Sequence, residues 1–162
     1  MKLKKYIMKK SIIKKVGILF IVGVVIAASI ILYMFNKPHR DIQAAQVDYN
    51  LTTTEIVSEY LADSNAANTK YLDEAGNSKI IAITGEVYSI STDQKNQKVV
   101  LLKNANDKAG VSCTFTEATN SNAEKLQKGQ TVTIKGVIRS GAGFDEDLDL
   151  YEDVIVEKSD VI

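Results

Sequence analysis

Val16 to Met34 reads VGILFIVGVVIAASIILYM, nineteen residues without a charge. At a rise of about 1.5 Å per residue such a run reaches about 28 Å as a helix, close to the ~30 Å hydrocarbon core of a bilayer. A helix is also the open-chain way to satisfy backbone groups in lipid. The run therefore predicts a transmembrane helix over residues 16–34. A cleaved signal peptide would share the basic start and the apolar stretch. Here the stretch exceeds the usual h-region, and Tyr33-Met34-Phe35-Asn36-Lys37-Pro38 makes a poor small-x-small cleavage site. No cysteine stands directly after the run, which excludes lipoprotein processing. The expectation is an uncleaved signal-anchor.

Charge sets its orientation. Lys2, Lys4, Lys5, Lys9, Lys10, Lys14 and Lys15 precede the run with no acid among them, whereas all 20 acidic residues lie from Asp41 onward. Only Lys37 and Arg40 follow closely. The positive-inside rule then puts the N-terminus in the cytoplasm and the rest outside. The short lysine-rich tail and the Lys/Ile/Asn-rich composition look bacterial, so the expected location is the bacterial cytoplasmic (inner) membrane. It is crossed once, with a periplasmic or extracellular soluble domain. From Lys37 onward the 13 remaining basic residues face 20 acidic ones, a balance of about −7.

Residues 35–47 read as a linker in which Pro38 ends the helix and His39, the only histidine, is solvated. Tyr49 to Thr52 reads as a short strand. Thr52 and Glu55 have capping-box spacing, and Ile56, Val57, Tyr60 and Leu61 recur at helical period. A second short helix is expected from Ser64 to Leu72. Together residues 48–78 form an expected helical cover.

From Lys79 the chain alternates at period two between turn signals. Five strands are expected: Lys79–Ser91, Lys98–Lys103, Val111–Thr116, Gln130–Ser140 and Leu148–Lys158. Ile81, Ile83 and Val87 share an inner face with Gly85 at a bend or bulge, as do Val111, Cys113 and Phe115, and Val132, Ile134, Gly136 and Ile138. Ser121 and Glu124 have a second capping-box spacing, and Gly129 fits a helix stop. The order predicts a mostly β protein: a five-stranded OB-fold barrel with one short helix between strands three and four. A short helical segment and one N-terminal transmembrane helix precede it. The expected organisation is a lysine-rich cytoplasmic tail (1–15), the transmembrane helix (16–34), the linker (35–47), the helical cover (48–78) and the OB-fold domain (79–162).

The chain resembles the tRNA-anti-like proteins, small bacterial membrane-anchored OB-fold proteins. The resemblance rests on Asn36-Lys37-Pro38-His39-Arg40, Ala66-Ala67-Asn68 with Tyr71-Leu72, and Ile83-Thr84-Gly85-Glu86-Val87. It continues in Val111-Ser112-Cys113-Thr114-Phe115 and Lys128-Gly129-Gln130-Thr131-Val132-Thr133-Ile134-Lys135-Gly136. It covers most of residues 36–158 and implies the fold, with no activity or cofactor to carry over. Members often hold a further cysteine near the last strand; Leu148–Lys158 has none.

Cys113, the only cysteine, alternates with Val111 and Phe115 and reads as a core residue. Asp145, Asp147 and Asp149 invite a calcium reading, but the EF-hand positions for glycine and glutamate hold Leu150 and Val156. An acidic surface is expected and no metal. Any binding face would lie on the outer side of the early strands and the loops after strands one and four, which singles out Tyr88, Ser112, Thr114, Arg139 and Phe144. No cysteine–histidine pair, glycine-rich phosphate loop or zinc set is legible, so no catalytic residue and no cofactor is expected. The functional expectation is a non-enzymatic, membrane-anchored binding or interaction module of the cell envelope, with a protein, peptide or glycan partner. The alternative is a nucleic-acid-binding OB-fold domain. The negative balance, the absence of tryptophan and the acids at 145–147 make nucleic acid an unlikely partner.

Overall fold

Lys2 to Phe35 forms one continuous helix, α1, in the computed structural model, which describes residues 2–35 and 40–162. Its Lys15–Phe35 part is 21 residues long with a mean hydropathy of 2.8 and is exposed throughout, long and apolar enough to cross a membrane. Ser29 is accommodated by returning its hydroxyl to the Val25 carbonyl at 2.8 Å. Pro38 and His39 lie outside the described residues. The chain divides at Arg40/Asp41 into two units.

The second unit is built on β2 (Ile80–Thr92), β3 (Lys98–Leu102), β4 (Val111–Phe115), β5 (Thr131–Ser140) and β8 (Val154–Val161). Strand β2, 13 residues long, serves two partners. Its first half, Ile80–Glu86, runs antiparallel to β5, and its second half, from Val87, runs antiparallel to β3. Strand β3 pairs with β4, β4 with β8 in parallel, and β8 with β5. These pairings close a five-stranded barrel in the OB-fold order. The inward positions of the alternating pattern fill it: Ile81, Ile83, Val87, Val100, Leu102, Val111, Cys113, Phe115, Ile134, Ile138, Val154 and Val156 are buried together.

Short strand β1 (Tyr49–Thr52) lies parallel to Ile81–Thr84, on the stretch of β2 that precedes its pairing with β3. Helix α2 (Thr53–Ala62) follows directly with the expected capping box: Thr52 Oγ1 accepts from Glu55 N, and Glu55 Oε2 accepts from Thr52 N at 2.7 Å. Asp63 caps α3 (Ser64–Tyr71) through Ala66 N. Ile56, Val57, Tyr60, Ala67 and Tyr71 join the barrel core. Two glycines let α2 come close. A Cβ on Gly85 would overlap the Thr53 hydroxyl, and one on Gly141 would overlap the Tyr60 ring. Gly85 is thus explained by the approach of α2; the bulge falls further on, between Val87 and Ser89.

Helix α4 (Asn120–Ala123) stands between β4 and β5 as expected. Asn120 Oδ1 accepts from Lys98 N at the start of β3, whereas Thr54 on α2 bonds Asp107 and Asn104 beyond the end of β3. The two helices therefore close opposite ends of the barrel.

Three expectations need correction. The capping box at Ser121 and Glu124 does not form: the N-cap is Thr119, whose hydroxyl donates to Ser159 O at 2.7 Å and leaves no side-chain cap. Glu124 instead pairs with Lys98 at 3.3 Å. The expected strand Leu148–Lys158 is two strands. Leu150–Glu152 (β7) folds back on Gly143–Asp145 (β6) as a separate hairpin, and the barrel strand β8 begins at Val154. The break is Asp153, whose carboxylate accepts from Gly110 N at 2.6 Å while Val154 N donates to Gly110 O.

The third correction concerns the expected linker, because residues 41–47 are fastened to the barrel. Ile42 is buried, Gln43 donates to Lys158 O, and Lys135 of β5 donates to Gln43 O at 2.8 Å and Ala45 O at 2.6 Å. Asp48 then exchanges two hydrogen bonds with the Ile80 backbone. Both faces of early β2 are consequently buried, Ile80 and Ala82 as well as Ile81 and Ile83.

Candidate ligand-binding face

Because Val100, Leu102, Val111, Cys113, Phe115, Val154 and Val156 point inward, their neighbours form the outer face of β3, β4 and β8. In register, Leu101 stands beside Ser112 and Ser112 beside Ile155, while Val99 stands beside Thr114. All five are half-buried. The surface alternates short hydroxyls with aliphatic side chains, suited to a ligand that offers both hydrogen bonds and apolar contact.

At the Thr114 end the face opens into a groove of about 250 Å³ lined by Lys95, Gln97, Thr114, Thr116, Glu157 and Lys158. Lys158 has φ +53° at the point where the β4–β8 register shifts, so that Phe115 faces Ser159. At the opposite end of β4 stands the β6–β7 hairpin. Its Phe144 and Tyr151 rings meet at 4.8 Å, and Lys108 Nζ lies 5.3 Å from the Tyr151 ring.

Ser112 and Thr114 share this face, and Thr114 also lines the groove. Arg139 on β5 reaches its edge, with Nε 4.0 Å from Glu157 Oε2, both side chains well exposed. Phe144 belongs to the hairpin. Tyr88 is the extra residue of the β2 bulge, and its ring faces Lys128 at 5.2 Å, in the loop before β5. The groove residues Lys95, Gln97, Glu157 and Lys158 were not singled out by sequence. The alternation ending at Val156 is the signal that could have placed Glu157 outward, but the register shift at Lys158 had none.

Cys113 is fully buried between β3 and β8 partners, and burial pushes its thiol up to about 12. It is a packing residue and a poor nucleophile. A raised thiol keeps its proton in the folded state where the unfolded chain, near its ordinary 9.0, loses it. The resulting stability is fully present below pH 9 and is lost as pH rises toward 12, at about 1.4 kcal/mol per unit. Urea midpoints should therefore fall between pH 8 and pH 10 in the wild-type chain and stay flatter in Cys113→Ala. Equal slopes would mean the thiol is solvated. Above pH 10 Tyr60, which burial raises to about 12, adds in the same direction.

The tRNA_anti-like family model matches residues 1–147, which take in four of the five barrel strands and everything before them and stop short of β8. The chain belongs to the tRNA-anti-like family. This is a family of small OB-fold binding domains rather than of enzymes. A proposed nucleic acid-binding lipoprotein from Klebsiella pneumoniae shares the fold at a TM-score of 0.51 and 14% identity, over 78% of this chain and 99% of that one. Asparaginyl-tRNA synthetase from Pyrococcus horikoshii matches 52% of the family member and 20% of its own chain, at 24% identity and a TM-score of 0.35. The Entamoeba histolytica asparaginyl-tRNA synthetase matches 52% and 21%, at 20% identity and a TM-score of 0.37. The chain thus spans about a fifth of the synthetases' length. No curated protein is a significant match to it.

Proposed function

We propose that this family member is a single-pass, membrane-anchored binding module of the bacterial envelope that holds its OB-fold barrel outside the cytoplasm and carries out no chemistry itself. The supporting observation is the junction of two unlike parts. Seven lysines precede an exposed apolar helix of membrane-spanning length. The barrel beyond it presents a half-buried hydroxyl-and-aliphatic face around Ser112 and Thr114. The only cysteine, Cys113, is fully buried, which argues against its use as a nucleophile. The partner is a protein, peptide or glycan. Nucleic acid is disfavoured, because affinity for phosphates comes from Lys and Arg and the part from Lys37 onward is net acidic. The nucleic-acid reading attached to the Klebsiella lipoprotein does not travel on a likeness of fold alone.

A membrane-impermeant amine cross-linker added to spheroplasts tests this reading. Lys95, Lys103, Lys108 and Lys158 should be modified while the tail lysines are protected, and an adduct with an envelope component should form that Thr114→Arg abolishes. Modification of the tail with protection of the barrel would overturn the topology. Salt-sensitive binding of labelled single-stranded RNA or DNA to the full chain in nanodiscs would overturn the choice of partner.

A further inference from the structure

The β6–β7 hairpin is the one place on the second unit where four large apolar side chains gather in the open. Phe144, Leu148, Leu150 and Tyr151 are 48%, 67%, 44% and 36% exposed. Register sets Phe144 against Tyr151 on one face of the hairpin and Leu150 against Asp145 on the other. Leu148 stands at the tip. A two-stranded hairpin has little stability of its own, yet this one is rooted at both ends. Gly141 leads into it under the Tyr60 ring, and Asp153 leaves it bonded to Gly110. The tip is shaped as well: Asp145 Oδ1 accepts from Asp147 N at 2.9 Å and Leu148 N at 3.0 Å, and Asp149 takes φ +50°. Exposed apolar clusters on a fixed support mark interaction surfaces, and aromatic side chains are enriched there.

Charge names the occupant. Between Gly143 and Asp153 the hairpin carries Asp145, Glu146, Asp147, Asp149 and Glu152 and no basic residue. Anionic lipid, phosphates and acidic glycans would be repelled, and two hairpins of the same kind would repel each other. We infer that the β6–β7 hairpin is a docking finger for a cationic peptide segment bearing apolar side chains. The apolar side chains lie against Phe144 and Tyr151 on one face and Leu148 at the tip, and the cations meet the surrounding carboxylates.

The test uses the full chain in nanodiscs of uncharged lipid and a fluorescent twelve-residue peptide alternating lysine with valine, read by anisotropy against empty nanodiscs. The peptide should bind. Phe144→Ser combined with Leu148→Ser should weaken it by about tenfold or more, since exposed aromatic and leucine anchors carry much of such contacts. Glu146→Gln with Asp147→Asn should weaken it too and flatten its salt dependence. All four side chains are exposed, so protection of Cys113 from thiol reagents verifies that each variant remains folded. Equal binding of a peptide with glutamate in place of lysine would overturn the inference. So would unchanged affinity in the variants, or a dimer of the chain that these substitutions dissociate, which would make a second copy the occupant.

Discussion

Tyr60→Ala is expected to destabilise the barrel by about 3–5 kcal/mol, the range for deleting a fully packed aromatic ring. Tyr60 is 2% exposed, lies 6.0 Å from the Tyr71 ring in a stacked arrangement, and occupies the space a side chain at position 141 would need. Gly141→Ala should cost about 1–3 kcal/mol by overpacking, because its methyl falls on carbon atoms of the ring. The double variant distinguishes this contact from two independent defects. With the ring gone the methyl has room, so the combined loss should fall short of the sum by about 1 kcal/mol or more. Urea titration of the full chain, with exposure of Cys113 to a thiol reagent as the readout, gives all three values. Additive losses would mean that α2 shifts away from Gly141 without resistance.

That contact was only partly legible in the sequence. The Thr52/Glu55 capping box and the spacing of Ile56, Val57 and Tyr60 placed α2 and its apolar side, because both are local properties of a few neighbouring residues. Nothing near Tyr60 says that it meets Gly141, a residue far along the chain. The same distinction separates the strands. In β2, β4 and β5 the period-two pattern coincides with the pairing, so Ile83, Cys113 and Ile134 fell on the inner face where they are found. In the last strand Leu148, Leu150, Val154 and Val156 keep one phase, interrupted only by Glu152, and a single strand was the natural reading. The break comes from Asp153 bonding Gly110, 43 residues away. The Ser121/Glu124 spacing failed for the same kind of reason: the Thr119 hydroxyl is engaged by Ser159, 40 residues away. The candidate face shows both sides. Ser112 and Thr114 follow from alternation alone, whereas the groove beside them depends on a register shift at Lys158.

Lys135 is where the local signal pointed the wrong way, and its replacement should have the second large effect. In Ile134-Lys135-Gly136 the lysine occupies the outward phase of a strand, the position of a solvated charge. Instead it is 7% exposed and its ammonium is held by the carbonyls of Gln43 and Ala45. A buried cation needs partners; here they come from the segment that a sequence reading takes for a linker. Lys135→Met keeps the length and apolar stem of the side chain and removes only the charged donor. Each hydrogen bond to a charged group is worth about 1.5–3 kcal/mol, and two carbonyls lose their donor together, so residues 41–47 should detach well before the barrel unfolds. Detachment costing about 3 kcal/mol less than in the wild type raises local opening by a factor on the order of 100. Hydrogen exchange should show it at the Ala45 amide, which donates to Asp41 O, and at the Asp48 and Ile80 amides. The Cys113 and Ile134 amides in the barrel should be much less affected. Lys135→Arg should restore part of the protection by supplying a charged donor again. If exchange across residues 42–48 is unchanged in Lys135→Met, the segment is held by the burial of Ile42 and the Asp48–Ile80 pair alone, and the lysine is a passenger.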